Sequence, residues 1–285
     1  MGKTVLCVIL IFLLFSCGSK EKNNVPAVPI AEVVVDTVVH VEDSGFVAEE
    51  APETVLPVVR ENEAFDDFIF HFASDSSFQS ERVLFPLPYY KESIPLKVER
   101  ENWRIDSSFF KQDYYSLLLD GENDLDLLGD TARTSIQVEW IYMESKMMEK
   151  FYFERIDGKW MLEAVDYRPI EKGMNRDFID FFVRFSNDSL FQCQHIHEPL
   201  EFITTDPDDD FTIIETTLDP NQWLAFKPVL PKEVLSNINY GQKNDRKSQH
   251  KIIQLKGIGN GFINTLFFRR KNNTWEFYKF EDTSN

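Results

Sequence analysis

The sequence has 285 residues, with 48 aspartates and glutamates against 30 lysines and arginines, so its formal net charge is −18. This acidity disfavours binding to nucleic acid or to an anionic lipid surface through charge. Hydrophobic residues make up 43% of the chain, which is enough for a sizeable core, and the length exceeds that of one average domain.

The N-terminus has the features of an export signal. Lys3 supplies a short positive region, and the apolar run from Val5 to Phe15 is too short to span a bilayer as a helix. The run ends in Leu14-Phe15-Ser16-Cys17, which resembles the lipobox of bacterial lipoproteins. The resemblance implies cleavage between Ser16 and Cys17, and attachment of diacylglycerol and a fatty acyl group such as palmitate at Cys17. Residues 1–16 are therefore predicted to be a lipoprotein signal peptide.

A lipid at Cys17 would make the membrane a partner of the protein. The next residue is Gly18 rather than the aspartate that retains some lipoproteins in the inner membrane, which favours the outer membrane of a bacterial cell envelope. The alternative is an ordinary secretory signal that is cut after Ser16 or Ser19. After either cleavage Cys7 is lost, so the sequence predicts no disulfide within one mature lipidated chain.

Residues 17–60 are predicted to be the lipid anchor and a flexible linker, because they are rich in valine, proline and glutamate and lack an aromatic core pattern. An internal repeat follows. Residues 65–79 match residues 178–192 at eight positions without a gap, and Trp103 and Trp223 occupy equivalent places further on. We therefore predict a tandem duplication, with a first module at 61–170 and a second at 171–285.

Each module opens with a helical pattern and closes with strand patterns. Phe65, Phe68, Ile69 and Phe72 fall on one face of a helix, and the second module repeats this stripe with four phenylalanines. Strands are predicted over 135–144, 150–155, 160–167, 251–258, 262–270 and 274–281. The fold class predicted is α+β, with two tandem cone-like modules that each pack an N-terminal amphipathic helix on a curved antiparallel sheet.

The repeated motifs resemble a known family. The FxDFxxxFxxDxxFQ opening, the Phe85-Pro86-Leu87 that follows, the central Trp103 and the closing Phe-x-Arg…Trp hairpin are similar to an uncharacterised lipoprotein family of the Bacteroidota, domain-of-unknown-function family 4348. The resemblance implies a nuclear transport factor 2-like (cystatin-like) α+β fold in each copy. It implies no reaction, because that superfamily includes both enzymes and non-catalytic binding modules.

Cys193, His195 and His197 form the strongest metal candidate, because on a strand they would share one face. A strand with surface histidines is the simpler interpretation, and no metal or other cofactor is assigned. Two acidic loops could bind calcium or be merely solvated. They contain Asp206, Asp208, Asp209 and Asp210, and Asp120, Glu122, Asp124 and Asp126.

No catalytic residue is assigned, because the sequence contains no convincing catalytic set. Asp75 and Asp188 repeat, as do Asp67 and Asp180, and could serve as an acid–base pair or as helix caps. Gly257–Gly261 is predicted to be a hairpin loop, because a dinucleotide site requires a following helix. Trp103 and Trp223 could line a pocket or pack in the core.

The leading prediction is an envelope-anchored, non-catalytic module that binds a ligand or an envelope protein. The alternative is a small-molecule enzyme, of hydrolase or isomerase type, which uses the cavity of one module. A purely structural role in the envelope is a third possibility. The sequence does not define the oligomeric state.

Overall fold

The computed structural model describes residues 62–104, 109–111, 113–129, 132–171, 175–242, 244–245 and 247–284. The predicted signal peptide at 1–16 and the lipid anchor and linker at 17–60 lie outside these residues, together with Ser16 and Cys17. Within the described part of the chain, no helix is both long enough and apolar enough to cross a membrane.

The described residues form five α-helices and twelve β-strands. The helices are α1 (Phe65–Ser74), α2 (Ser76–Glu81), α3 (Arg176–Asn187), α4 (Ser189–His195) and α5 (Pro220–Phe226). The strands are β1 (Leu87–Lys91), β2 (Ile94–Val98), β3 (Tyr114–Leu119), β4 (Ser135–Tyr142), β5 (Met147–Ile156), β6 (Lys159–Pro169), β7 (Ile196–Asp206), β8 (Asp209–Leu218), β9 (Val234–Asn239), β10 (His250–Gly257), β11 (Ile263–Lys271) and β12 (Thr274–Asp282). The six strands predicted from the sequence correspond to β4, β5, β6, β10, β11 and β12.

All twelve strands belong to one mixed sheet, in the order β2-β1-β6-β5-β4-β9-β3-β10-β11-β12-β7-β8. The prediction of two tandem cone-like modules, each with its own curved antiparallel sheet, is therefore wrong, although the α+β class holds. The two halves also differ in kind. The hairpin β7–β8 is about twice as long as β1–β2, and the helix α5 follows β8 where only the 3₁₀ turn Arg100–Asn102 follows β2.

The physical reason for this correction is an exchange of strands at the sheet centre. β9 comes from the second half of the chain but pairs with β4 of the first half, over six residue pairs. β3 comes from the first half but pairs with β10 of the second half, also over six residue pairs. Since β3 and β9 also lie side by side, neither half has a free central edge, and two separate sheets cannot form.

The two hydrophobic cores lie on opposite faces of this sheet. On β3, Tyr115, Leu117 and Leu119 belong to the core under α1, whereas Leu118 belongs to the core under α3. Successive residues of a strand point to opposite faces, so α1 and α3 cover opposite sides. The predicted aromatic stripes are confirmed as core: the four residues of α1 and the four phenylalanines of α3 are all buried.

The repeated aspartates Asp75 and Asp188 are confirmed as helix caps. The Asp75 carboxylate accepts the backbone N–H groups of Ser77 and Phe78, at 2.8 and 3.1 Å. Asp188 does the same for the first turn of α4, at 2.9 and 3.1 Å. Their carboxylates satisfy amide groups that a helix cannot pair internally, and this explains why aspartate recurs there.

Glu63 fastens the start of the described chain to the hairpin β5–β6. Its carboxylate accepts two hydrogen bonds of 3.0 Å from the Arg82 guanidinium and one of 3.0 Å from the Trp160 backbone. Its backbone carbonyl accepts the Trp160 indole N–H at 3.0 Å, and its amide donates to the Gly158 carbonyl at 3.0 Å. The Arg155 guanidinium donates to the Glu63 carbonyl at 3.3 Å, so six hydrogen bonds converge on one residue.

The strand exchange predicts that the two halves cannot fold alone. Residues 57–171 and 172–285, expressed separately, each lack the strand that completes the sheet centre, so we expect neither to unfold cooperatively on heating. Mixed or co-expressed, the two fragments should recover a single cooperative transition by circular dichroism. A dispersed amide spectrum and a cooperative melt from residues 57–171 alone would contradict the proposed dependence.

Candidate functional site

A cavity of about 160 Å³ lies beside the sheet centre, on the face that α3 covers. One wall is apolar and consists of Leu118, Ile141, Met148, Ile170 and Ile179. The other wall is polar and consists of Glu139, Asn175, Asn239, Gln242 and Asn244. An apolar pocket with a few convergent polar groups is the usual form of a small-molecule site.

Among the described residues that line this cavity, Glu139 is the only charged one, and it is held in place by its neighbours. Its Oε1 lies 2.7 Å from the Lys150 ammonium and accepts the Asn239 amide at 3.2 Å. Its Oε2 accepts the Asn237 amide at 2.9 Å. The Glu139 and Lys150 side chains are both almost fully buried, so the pair offsets the cost of burying either charge alone.

Asn237 links this cluster to the exchanged strands. Its Oδ1 accepts the backbone N–H of Leu118 on β3 at 2.8 Å, while its amide donates to Glu139. β3 and β9 share a single registered backbone pair, so side chains supply much of their contact. Two serines add to it, since the Ser116 hydroxyl donates to the Ser236 carbonyl at 2.7 Å.

The remaining polar wall is mostly ordered by its own hydrogen bonds. Asn239 Oδ1 accepts the Gly241 N–H at 2.8 Å, and the Gln242 amide donates to the Ile238 carbonyl at 3.0 Å. Asn175 precedes α3 in a left-handed conformation, with φ of 42°, and its Oδ1 accepts a hydrogen bond from the buried Lys251. Lys251 in turn forms an ion pair with Asp120. The described lining residues therefore present carboxamide groups on a pre-ordered scaffold, and the one charged side chain among them, Glu139, is paired with Lys150.

Two other concave surfaces are more open. They have volumes of about 310 and 330 Å³ and share Asp113 and Asn260, near the turn between β10 and β11. Burial and the nearby Asp113 carboxylate raise the pKa of Tyr114 to about 12, and its hydroxyl donates to the Val229 carbonyl at 2.9 Å. These grooves lack the convergence of polar groups that the smaller cavity has.

The metal candidate is not assembled as the sequence suggested. Cys193 and His195 lie on helix α4 rather than on a strand, and His197 lies on β7. The His195 ring stacks on Phe191, with ring centroids 3.9 Å apart, and its Nδ1 lies 2.8 Å from the Phe191 carbonyl. Among the described residues, no group of three histidine, cysteine, aspartate or glutamate side chains could hold a metal ion.

In the acidic loops, carboxylates accept hydrogen bonds or form ion pairs with other groups of the protein. Asp120 pairs with Lys251, Glu122 lies 3.3 Å from the Lys279 ammonium, and Asp124 accepts the Asp120 N–H at 3.1 Å. In the other loop, Asp206 accepts the Asp208 N–H at 2.9 Å, at the turn between β7 and β8. These contacts stabilise turns.

The other sequence candidates also lie outside the cavity. Asp67 is exposed, and Asp180 forms an ion pair of 2.6 Å with Lys146. Trp223 is fully buried against Phe277 and Phe280, and Trp103 is half-buried beside Phe85. The segment Gly257–Gly261 connects β10 to β11, which confirms the predicted hairpin loop.

Glu139, Asn237 and Asn239 were not predicted as site residues, although the comparison of the two halves contains a signal for Asn237. Glu139 stands where Lys256 stands in the second half, and Asn237 stands where the first half has Leu117. A polar residue that replaces an apolar one at a central strand position marks a site that only one half contains.

The fold is similar to that of a solved protein. A solved NTF2-like protein from Bacteroides fragilis is similar to this chain with 59% identity and a TM-score of 0.74, over 79% of this chain and 100% of the other. The fold is thus NTF2-like, whereas the resemblance had implied one such fold in each of two copies. A search among curated proteins gave no match.

The family named "Domain of unknown function (DUF4348)" matches residues 46–282. The chain belongs to this family, which confirms the resemblance found in the sequence.

Replacing Asn237 tests the link between the strand exchange and the cavity. Asn237→Leu leaves the Leu118 N–H without an acceptor and removes a donor from Glu139. We expect the free energy of unfolding to fall by about 3 kcal/mol. Asn187→Leu, on the exposed end of α3, is the matched control and should change it by about 0.5 kcal/mol or less. Equal effects in urea titrations of the two variants would contradict this role.

A second prediction concerns Glu276, which lies 3.5 Å from His197 and within ion-pair distance of Arg269 and Lys271. Burial acts to raise the pKa of Glu276, but hydrogen bonds and charge from Lys271 and Arg269 lower it overall. A carboxyl group whose pKa is lower in the folded than in the unfolded chain stabilises the fold at pH values above its unfolded-state pKa. This contribution is lost as the pH falls through the folded-state pKa.

Wild-type protein should therefore lose its stability advantage over Glu276→Gln between about pH 5 and pH 3, measured by urea unfolding. Glu163→Gln is the control with the opposite sign, because burial and Glu154 raise the pKa of Glu163. Relative to Glu163→Gln, the wild-type protein should gain stability as the pH falls through the raised folded-state pKa of Glu163, a range above that of Glu276. The same sign for both variants would refute this assignment.

Proposed function

We propose that this protein is an envelope-anchored lipoprotein whose folded part binds a small ligand without transforming it. The observation that carries the proposal is the cavity with Glu139, whose carboxylate is the only one among the described lining residues and is already engaged by Lys150, Asn237 and Asn239. A general base must reach a substrate proton through a free lone pair. Three of the roughly four lone-pair positions of the Glu139 carboxylate already face Lys150, Asn237 and Asn239, which supports binding over catalysis.

The walls of the cavity define the ligand class. Its volume of about 160 Å³ suits a compact molecule, its aliphatic wall favours a hydrocarbon face, and its carboxamides favour hydroxyl or amide groups. Because Glu139 is paired with Lys150, the site favours a neutral ligand over an ion. We propose a small, neutral, polar molecule with one apolar face.

Filling the cavity tests this proposal. Ile179→Phe should abolish the binding of neutral polar fragments, such as small diols and amides, in saturation-transfer NMR titrations of the wild type. Leu190→Phe, at a position with 76% exposure, should bind like the wild type. If a bound molecule is instead recovered chemically altered, and Glu139→Gln prevents the change, the alternative of a small-molecule enzyme is correct.

The anchor is the second part of the proposal. Leu14-Phe15-Ser16-Cys17 supports lipidation at Cys17, and Gly18 supports sorting to the outer membrane. The repeated sequence supports an origin by tandem duplication, whose two copies now share one sheet.

Cys17→Ser should release the protein from membranes into the soluble fraction, as measured by detergent phase partition. Cys7→Ser is the matched control, because Cys7 leaves with the predicted signal peptide, and it should keep the protein in the membrane fraction. Membrane partition that survives Cys17→Ser would refute lipidation at this residue.

A further inference from the structure

The two edges of the sheet are unequal. The edge strand β8 has ten residues, and Thr212 to Thr217 are all exposed, with Ile213 64% and Ile214 36% accessible. Neighbouring residues of a strand point to opposite faces, so β8 displays an isoleucine on each face and an open backbone ladder.

The opposite edge, β2, is protected against pairing. It has only five residues, and Pro95 and Lys97 lie within it. Proline cannot donate to a neighbouring strand, and lysine on an edge discourages a second strand from adding. β8 contains neither residue type. Among the strands of the described residues, the edge open to pairing is therefore β8.

Charge selects the partner of this edge. From residue 185 to residue 226 the sequence contains nine aspartates and glutamates and no lysine or arginine. Glu201 and Asp206 lie on β7, and Asp209 and Glu215 lie on β8, so the hairpin carries a net negative charge. A second copy of the chain, itself at −18, would bring like charges together along the edge.

We propose that β8 is a docking edge for an extended basic segment of a partner protein, which adds to the sheet as a further strand. Backbone hydrogen bonds to β8 supply a sequence-tolerant part of the affinity. Lysine or arginine side chains of the partner lie near Glu215 and the acids of the hairpin, and its aliphatic side chains pack on Ile213 and Ile214. This surface is separate from the cavity at Glu139, so either function can fail without the other.

The probe is a synthetic ten-residue peptide of alternating lysine and valine, the same length as β8. We expect it to bind the full folded chain in isothermal titration, with an affinity that falls as salt is added. It should slow hydrogen exchange at backbone amides of β8. The same peptide with glutamate in place of lysine should not bind.

Substitutions on β8 and on β2 test which edge of the sheet binds the peptide. Ile213→Lys and Glu215→Lys should each weaken peptide binding by about tenfold or more. Ile94→Lys on β2 is the matched control, because Ile94 has a similar exposure of 61%, and it should leave binding within about twofold. If Ile213→Lys lowers the melting temperature, Thr216→Lys on the same exposed run replaces it.

Three results would overturn the proposal. One is protection of β2 amides rather than β8 amides, and another is an equal loss of affinity in Ile94→Lys. The third is a dimer in sedimentation that Ile213→Lys dissociates, which would assign the edge to a second copy of this chain. Slower exchange at β8 together with loss of binding only in the β8 variants would support it.

Discussion

The exchange of β3 and β9 is the constraint on which the rest of this structure depends. Each half of the chain contributes a strand that completes the sheet of the other half, and both strands meet along one seam. Because backbone pairing along that seam is sparse, Ser116 and Asn237 side chains take over part of the contact. The two hydrophobic cores can then form on opposite faces of one sheet, each under its own helices.

The seam also explains why a polar cluster occurs so deep in the molecule. The side-chain oxygen of Asn237 accepts a hydrogen bond from the Leu118 backbone N–H and so holds β3. The side-chain NH₂ group of Asn237 then needs an acceptor in the interior. Glu139 provides that acceptor, and Lys150 compensates the charge that Glu139 introduces. The cavity opens next to this cluster. Stability at the seam and polarity in the cavity therefore arise from the same few side chains.

Local features were predictable from the sequence, whereas the global arrangement was not. The stripes on α1 and α3, the caps Asp75 and Asp188, and the six closing strands follow from periodicity and turn chemistry, which act over a few residues. β3 and β9 were missed as strands. Their exchange also depends on partner strands more than one hundred residues away in the sequence. Similarity between the two halves cannot reveal which half supplies each central strand. For the same reason Glu139 and Asn239 meet only in the folded chain.

The attachment of Glu63 has a mechanical consequence. A pull along the chain from the residues before it would reach the sheet through the Arg82 guanidinium and the backbone of Gly158 and Trp160. Because all of these hydrogen bonds involve Glu63, they would bear the pulling force together instead of breaking one after another. These bonds would also direct force into the hairpin β5–β6, which β4 separates from the seam at β3 and β9. A protein that is held at one end on a moving surface could thus bear tension without opening its centre.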